Sequence, residues 1–275
     1  MPHPEITVER RKQRWFEYKK SIPWKWIVCL GIAVWAIFFF MWELAVALGW
    51  VTELLVPTPQ KVIAALYDQL VHKGFIKDIL ISIYRIILSF TAACTVAIPL
   101  GILMGAFRVA ESFFNPFVMA WRYLPAPSFI PILLMWFGTG DVPKLALLFI
   151  GVVFFLITMI MDYTKSVRNE LLETAMTLGG NRWQILWTVI VPAVMPNIFV
   201  AMRQMLAVSW TYLVIAEIVA SSTGIGAMMM RAKRFLHTDH IMAGIVVIGI
   251  LGLTCDFLFK SAHRRLFPYI MEDNR

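Results

Sequence analysis

The run PKLALLFIGVVFFLITMIM, Pro143–Met161, decides the fold. A bilayer core of ~30 Å takes about 20 apolar residues in a helix, and this run meets that length with almost no polar interruption. Five more stretches do the same. They are Trp26 to about Leu48, with Glu43 near its far end, and Ile83 to Phe107, with no charge after Arg85. Phe113 to Phe137 carries Arg122, Val194 to Ala220 carries Arg203 and Glu217, and Ile241 to Phe259 carries Asp256. Barrel strands alternate over ~10 residues, and these runs are far too long for that pattern. The expectation is an all-α polytopic membrane protein with six transmembrane helices.

Composition agrees. Of the 275 residues 60% are hydrophobic and 15% charged, and the mean hydropathy is +0.73. A soluble domain carries about 25% charged residues and cannot hide so much apolar surface at this size. Disordered, collagenous and disulfide-scaffold classes are excluded, as is an ordinary cytosolic enzyme. The net charge of +8 would suggest nucleic acid in a soluble protein. Here it marks orientation, because cytoplasmic loops retain Lys and Arg, and no nucleic-acid partner is expected. Cys29, Cys94 and Cys255 all lie in apolar runs without metal-ligand spacing and read as small core hydrophobes.

Residues 1–25 form a basic segment with Arg10, Arg11, Lys12, Arg14, Lys19, Lys20 and Lys25. It is too long for a signal peptide and has no small-residue cleavage site after the apolar run. The N-terminus is therefore expected in the cytoplasm, and after six spans the C-terminus is there too. Arg108, Lys165, Arg168, Arg182, Lys260, Arg264, Arg265 and Arg275 fall on the same inner side. Lys61, Lys73, Lys77 and Lys144 fall outside, as does the cluster Arg231, Lys233 and Arg234, which runs against the bias locally. No internal repeat or linker divides the chain, so residues 26–270 read as one transmembrane domain. In the outer loop after the first span, Val56-Pro-Thr-Pro59 signals a turn and Lys61 to Val71 a surface amphipathic helix.

The inner loop from about 163 to 192 is the most informative non-membrane stretch. Leu171, Leu172, Ala175, Met176 and Leu178 recur at helical spacing, with Glu170, Glu173, Thr174 and Thr177 opposite. Gly179-Gly180 ends that helix as a glycine cap does. Asn181 is placed to cap a second helix carrying Trp183, Leu186, Trp187 and Ile190, which Pro192 follows. The result is a helical hairpin at the inner face. Taken alone, such a hairpin also fits a segment lying on lipid.

At this loop the sequence resembles permease subunits of binding-protein-dependent ABC importers. Their pattern is Glu-Ala-Ala, three residues, Gly, nine residues, then Ile-x-Leu-Pro. Here it reads Glu173-Thr174-Ala175, Gly179, and Val189-Ile190-Val191-Pro192 at matching spacing, with Thr174 replacing the first Ala. The resemblance runs from about residue 50 to the end and leans to the nitrate, bicarbonate, sulfonate and taurine branch. It does so through Pro-Thr-Pro-Gln at 57–60, Leu-Pro-Ala-Pro at 124–127, Met-Trp-Phe-Gly at 135–138, Ala-Glu-Ile at 216–218 and Thr-Asp-His-Ile-Met-Ala-Gly at 238–244. The resemblance implies a type I importer permease fold in the inner membrane. It also implies that Glu173, Thr174, Ala175, Gly179 and Pro192 couple the chain to ATP-binding cassette subunits. ATP and Mg would be bound by those subunits, and this chain would hold no cofactor. A periplasmic or lipid-anchored substrate-binding protein and a second permease copy complete the implied assembly. The outer turns Pro57–Gln60 and Arg231–His240 are the expected docking points for the binding protein.

Charges inside a bilayer are costly and face protein or water. Arg122 and Arg203 both fall near mid-depth, so they either attract an anionic substrate or satisfy freed carbonyls and acids of neighbouring spans. Glu217 reads as a gate or as a packing partner. Ser209, Trp210, Thr211 and Tyr212 are pathway-lining candidates that equally serve as helix glue. Pro125, Pro127 and Pro131 break the third span, which points to a substrate path near spans three and five or to packing kinks.

No Gly-x4-Gly-Lys-Ser/Thr phosphate loop is present, so the chain is no ATPase and the expected enzyme lies in partner subunits. A stand-alone secondary transporter or channel is the alternative, but it is expected to have paired halves, which this sequence lacks. An intramembrane enzyme fits less well. His3, His72, His237, His240 and His263 are scattered, no nucleophile–base pair stands out, and His237 and His240 with Asp239 alone make no clear metal set.

Overall fold

The computed structural model describes residues 22–271. The basic segment therefore lies outside the described residues up to Ser21. The chain divides into two compact units, Met1–Val51 and Thr52–Arg275. The first holds α1 (Trp24–Ala47), long enough to span a bilayer. Its rings stack along the helix at i, i+4 and i, i+3: Trp35 on Phe39 with centroids 6.1 Å apart, and Phe39 on Trp42 also at 6.1 Å.

The second unit contains α2 (Pro59–Val71), α3 (Phe75–Ala106), α4 (Arg108–Arg122), α5 (Ile130–Phe137), α6 (Val142–Lys165), α7 (Asn169–Thr177), α8 (Arg182–Ile185), α9 (Val191–Ala220), α10 (Ile225–Arg234) and α11 (Thr238–Leu266). Among the described residues no strand forms. The surface helix expected at 61–71 is α2, opened by Pro59, whose missing N–H costs nothing in a first turn.

The centre of this unit is the pair α3 and α6. Lipid is as apolar as a side chain, so membrane helices associate through close packing, which small residues allow. On α3, Ala93, Ala97, Gly101 and Gly105 recur every four residues and form one small-residue stripe. A Cβ on Gly101 would stand 2.7 Å from Ile160 Cβ, and one on Gly105 would stand 2.4 Å from Thr164 Cβ. Ser89 Oγ also donates to the Leu145 carbonyl at 2.9 Å. These pairings make α3 and α6 parallel. On its other side α6 receives α9, where Tyr212 lies flat enough on Gly151 that a Cβ there would be 2.5 Å from the ring. α9 runs antiparallel to α6, and α11 antiparallel to α9 with Phe199 and Phe259 rings 6.5 Å apart.

The third expected span is not one helix. α4 and α5 are separated by Tyr123–Phe129, including a 3₁₀ turn at Ala126–Phe129, and are bent by 84°. Proline removes the N–H that a continuing helix needs and pushes the preceding residue away from helical angles, so Pro125 and Pro127 together break the helix. The corner is braced by Trp121, stacked between Phe129 and Phe154 with both centroids at 5.5 Å. Because α3 and α6 are parallel, the bent pair must return the chain to the end where α3 began. It therefore counts as one crossing beside five continuous helices. The second span begins earlier than expected, at Phe75. Of the cysteines Cys94 is buried, Cys255 half-buried and Cys29 exposed, so the core assignment fails for Cys29.

The small-residue stripe predicts an asymmetry between glycines. Gly105→Ala is expected to destabilise the protein by about 1–3 kcal/mol through overpacking against Thr164. Gly249→Ala on α11, where an added Cβ meets nothing within 4 Å, is expected to leave it unchanged. Thermal unfolding of the detergent-purified variants checks both, and equal melting temperatures would refute the packing argument.

Candidate functional site

Two regions at opposite ends of α9 hold the polar chemistry. At its start lies the hairpin. α7 ends in a paired turn: Gly180 N–H bonds the Ala175 carbonyl at 3.0 Å and Gly179 N–H the Met176 carbonyl at 2.9 Å. Gly179 sits at φ +82°, the left-handed region that this motif requires and that a Cβ penalises. Asn181 then opens α8 with a complete capping box, accepting from the N–H groups of Trp183 (3.1 Å) and Gln184 (3.0 Å), while Gln184 accepts from Asn181 N–H at 3.0 Å.

The second helix does not stop before Pro192. α8 continues through a π turn, Leu186–Ile190, into α9, and Pro192 occupies that helix's first turn, where its absent N–H does little harm. Hairpin and membrane helix are therefore one rod. The apolar face is also divided. Leu172, Ala175, Ile185, Leu186 and Ile190 pack inward, whereas Leu171, Met176, Leu178, Trp183 and Trp187 are exposed. Glu173 and Thr174 are exposed as well. Beneath the hairpin is a cavity of about 420 Å³ lined by Gly105, Arg108, Glu111, Thr164, Lys165 and Asn169 among others, crossed by a Lys165–Glu111 ion pair at 2.5 Å.

At the far end of α9, Glu217 is wholly buried and bonded on every side. Its Oε1 accepts from Arg85 Nη1 at 2.7 Å and from Ser82 Oγ at 2.7 Å, and its Oε2 accepts from Gly226 N–H at 2.9 Å. Arg85, itself only 1% exposed, spends its remaining donors on Asp141 Oδ1 (2.6 and 3.0 Å), the Thr223 carbonyl (2.8 Å) and Thr223 Oγ1 (3.0 Å). The loop after α9 is moulded onto this pair. Gly224, at φ +106°, lies where a Cβ would be 2.2 Å from Glu217 Oε1. Asp78 extends the network, accepting from Gly224 N–H at 2.7 Å and from Arg231 at 2.6 Å. Burial works to raise the Asp141 carboxyl, but the hydrogen-bonded Arg85 guanidinium outweighs it and holds the group below the ordinary carboxylate range. It thus stays ionised at neutral pH, and its stabilising effect is lost as pH falls through that lowered value.

Of the two readings open for Glu217, the contacts are those of a packing partner, and its counter-charge Arg85 has no local sequence signal of that role. Arg203 pairs with Asp256 at 2.7 Å. Arg122 ends α4 beside the bend, its guanidinium 5.3 Å from the Tyr123 ring centroid. Ser209 is buried and bonds back to the Met205 carbonyl at 3.0 Å. Trp210 is buried, Tyr212 packs on Gly151, and Thr211 is exposed. The polar run at 209–212 is thus spread around α9 and does not form one lining.

Comparison with known proteins adds a family and a fold. Residues 97–271 match the family described as binding-protein-dependent transport system inner membrane component. The taurine transport system permease protein TauC of Escherichia coli (strain K12) is 31% identical over 261 residues, covering 92% of this chain and 95% of the relative. The putative aliphatic sulfonates transport permease protein SsuC of Bacillus subtilis (strain 168) is 29% identical, covering 87% of each. A crystal structure of an amino acid ABC transporter with histidines superposes with a TM-score of 0.58 at 16% identity, covering 70% of this chain and 93% of that one. An inward-facing MetNI methionine ABC transporter structure gives 0.55 at 14%, covering 75% and 98%. At such identity these two structures speak to the fold alone.

The Arg85–Glu217 pair predicts strong coupling between its members. Each of Arg85→Met and Glu217→Leu strips a buried charge of its main partner and is expected to cost about 3–5 kcal/mol. The double variant is expected to fall short of the summed losses by more than about 1 kcal/mol. Thermal or denaturant unfolding of the four proteins measures this, and simple additivity would refute the pair as a stabilising unit.

Proposed function

The chain belongs to the binding-protein-dependent transport system inner membrane components, and from that premise we propose that it forms the transmembrane path of an ATP-driven importer for a small sulfonate such as taurine. The observation that carries the sulfonate reading is the similarity to taurine and aliphatic sulfonate permeases over nearly the whole chain. Nitrate and bicarbonate share the anionic character but have no comparable support. The substrate is selected in large part by a separate binding protein, docked at Pro57–Gln60 and Arg231–His240. The α10 end of that surface is basic through Arg231, Lys233 and Arg234 and ends in exposed Phe235 and Leu236.

Energy enters at the hairpin. The exposed Leu171, Met176, Leu178, Trp183 and Trp187 around Glu173 form an apolar surface suited to a groove on an ATP-binding cassette subunit, which binds ATP and Mg. The rod from α8 through α9 then carries a displacement there along roughly 50 Å of helix to Glu217 and the loop it anchors. Two such subunits close on each other, so one hairpin per chain calls for a second permease copy, taken to be identical. Both termini lie in the cytoplasm with the hairpin. Arg122 favours an anion along the path, whereas Arg203 is already paired with Asp256 of a neighbouring span.

Gly179→Asp tests the coupling role. It is expected to abolish uptake of radiolabelled taurine and to loosen co-purifying ATPase subunits, with membrane abundance near wild type. Full uptake would remove the hairpin from the mechanism, and loss of the protein would assign Gly179 to folding. Orientation is checked by single cysteines at positions 12, 170 and 235. The first two are expected to react only with reagent admitted to the cytoplasm and the third only from outside, and labelling of 170 from outside would overturn the topology.

A further inference from the structure

The turn between α10 and α11, within the segment proposed to dock the binding protein, brings together three side chains with metal-ligating groups. His237, Asp239 and His240 each offer one ligand atom, and these atoms all lie within 4.8 Å of one another. The two imidazole centroids are 5.1 Å apart, and Asp239 Oδ2 is 3.8 Å from His240 Nε2. We propose that these three residues bind a first-row divalent transition metal ion, such as zinc.

Three features make the cluster a built site. First, His240 is held from behind. It is more than nine-tenths buried, and its Nδ1 is engaged by the side-chain amide of buried Gln69 on α2. An amide of this kind turns end for end without changing its place. With its oxygen toward Nδ1–H, the Nε2 lone pair is left facing Asp239. A buried polar partner on the second ring nitrogen is what fixes the tautomer and orientation of metal-bound histidines.

Second, the turn that caps α10 places His237 beside His240. Leu236 stands at φ +57°, a left-handed conformation that is unfavourable for a branched apolar residue. The turn it makes is closed by His237 N–H on the Ala232 carbonyl at 3.0 Å. It returns His237 toward His240 and leaves Leu236 exposed. Leu236 N–H also bonds the Lys233 carbonyl at 3.1 Å, so the left-handed residue is the cap of α10, the same bond pattern that ends α7 at Gly179. Third, an open volume of about 190 Å³ adjoins both imidazoles, bordered by Gln69, Lys73, Asp78 and Arg231. It leaves room for water or an exogenous ligand at the remaining coordination positions.

The neighbouring cations do not forbid a metal ion, because each is already neutralised. Lys73 pairs with Asp68 at 2.9 Å, and Arg231 with Asp78 at 2.6 Å. Two imidazoles and one carboxylate suit zinc, cobalt, nickel or copper and disfavour magnesium and calcium, which take oxygen ligands. Occupancy would tie the first turn of α11 to the α10 turn. Thr238 Oγ1 already donates to the Leu54 carbonyl at 2.7 Å, so the lock would reach the segment before α2.

The full chain, purified with an affinity tag free of histidine, is titrated with zinc and cobalt chlorides while metal content, cobalt absorption and melting temperature are followed. One equivalent per chain, a cobalt spectrum of mixed nitrogen and oxygen coordination and a raised melting temperature are expected. His237→Ala, at an exposed position, should weaken binding at least ~10-fold, and Gln69→Leu should weaken it ~10–100-fold as a positioning residue. If His237→Ala lowers the metal-free melting temperature, Asp239→Asn carries the same test. His72→Ala, on an exposed histidine at the end of α2, should bind as wild type does. Failure of the wild type to take up one equivalent, undiminished binding by the triad variants, or equal loss in His72→Ala would each overturn the site.

Discussion

A wholly buried carboxylate facing a wholly buried guanidinium is the constraint around which the second unit is arranged. Glu217 and Arg85 come from α9 and α3, and neither could sit in an apolar interior alone. Their mutual bond leaves donors and acceptors over, and those are filled by Ser82, Asp141, Thr223 and the Gly226 N–H. The satisfied pair therefore fixes the loop after α9, the start of α6 and the start of α10 at once. Gly224 follows from the same requirement, since any side chain there would occupy the space of the carboxylate. Among the described residues, the opposite end of α9 carries no comparable knot. There the chain is held by apolar packing of Ile185, Leu186 and Ile190 and by the glycine turn of the hairpin. One end of the rod is thus pinned electrostatically and the other is left with an exposed face, the division of labour that a lever requires.

Much of this was legible in the sequence, because membrane helices announce themselves by length and because the hairpin is built from local rules. The turn at Gly179-Gly180, the Asn181 cap and the helix expected at 61–71 depend only on near neighbours, and all form, the last beginning two residues earlier at Pro59. What was misread depended on distant partners. Arg85 reads as one charge in a span, and nothing local tells that Glu217, 132 residues on, is its counter-charge. The one available signal was that two opposite charges lay near the same end of their spans. Hydropathy ran smoothly through Pro125 and Pro127 and hid an 84° corner, although the prolines themselves marked it. Trp183 and Trp187 shared a period with Leu186 and Ile190, yet they point outward. Periodicity groups residues on a face without saying whether this chain or another covers it.

The parallel pairing of α3 and α6 has a similar origin. Four small residues at four-residue spacing bring two backbones close enough for Ser89 to reach a carbonyl across the interface. That closeness sets the positions of Arg85 and Asp141, which stand one turn from Ser89 and Leu145 on the same two elements. The ionic knot and the small-residue stripe are thus two parts of a single interface, one directional and the other steric.

The π turn at Leu186–Ile190 has a geometric consequence for the lever. A π turn accommodates one more residue than the α-helix around it, and one residue corresponds to about 100° of rotation. The number of residues between Asn181 and Glu217 therefore encodes an azimuth as much as a length. A single-residue deletion that leaves the π turn in place would shorten the rod by only about 1.5 Å while turning the face that bears Trp183 by about a quarter of a circle relative to Glu217, whereas a deletion that converts the π turn to α would be taken up locally and keep the two faces in register. Relatives that differ here by one residue and keep the π turn would be expected to present a different face of the hairpin to whatever grips it, and to mesh with a differently shaped groove.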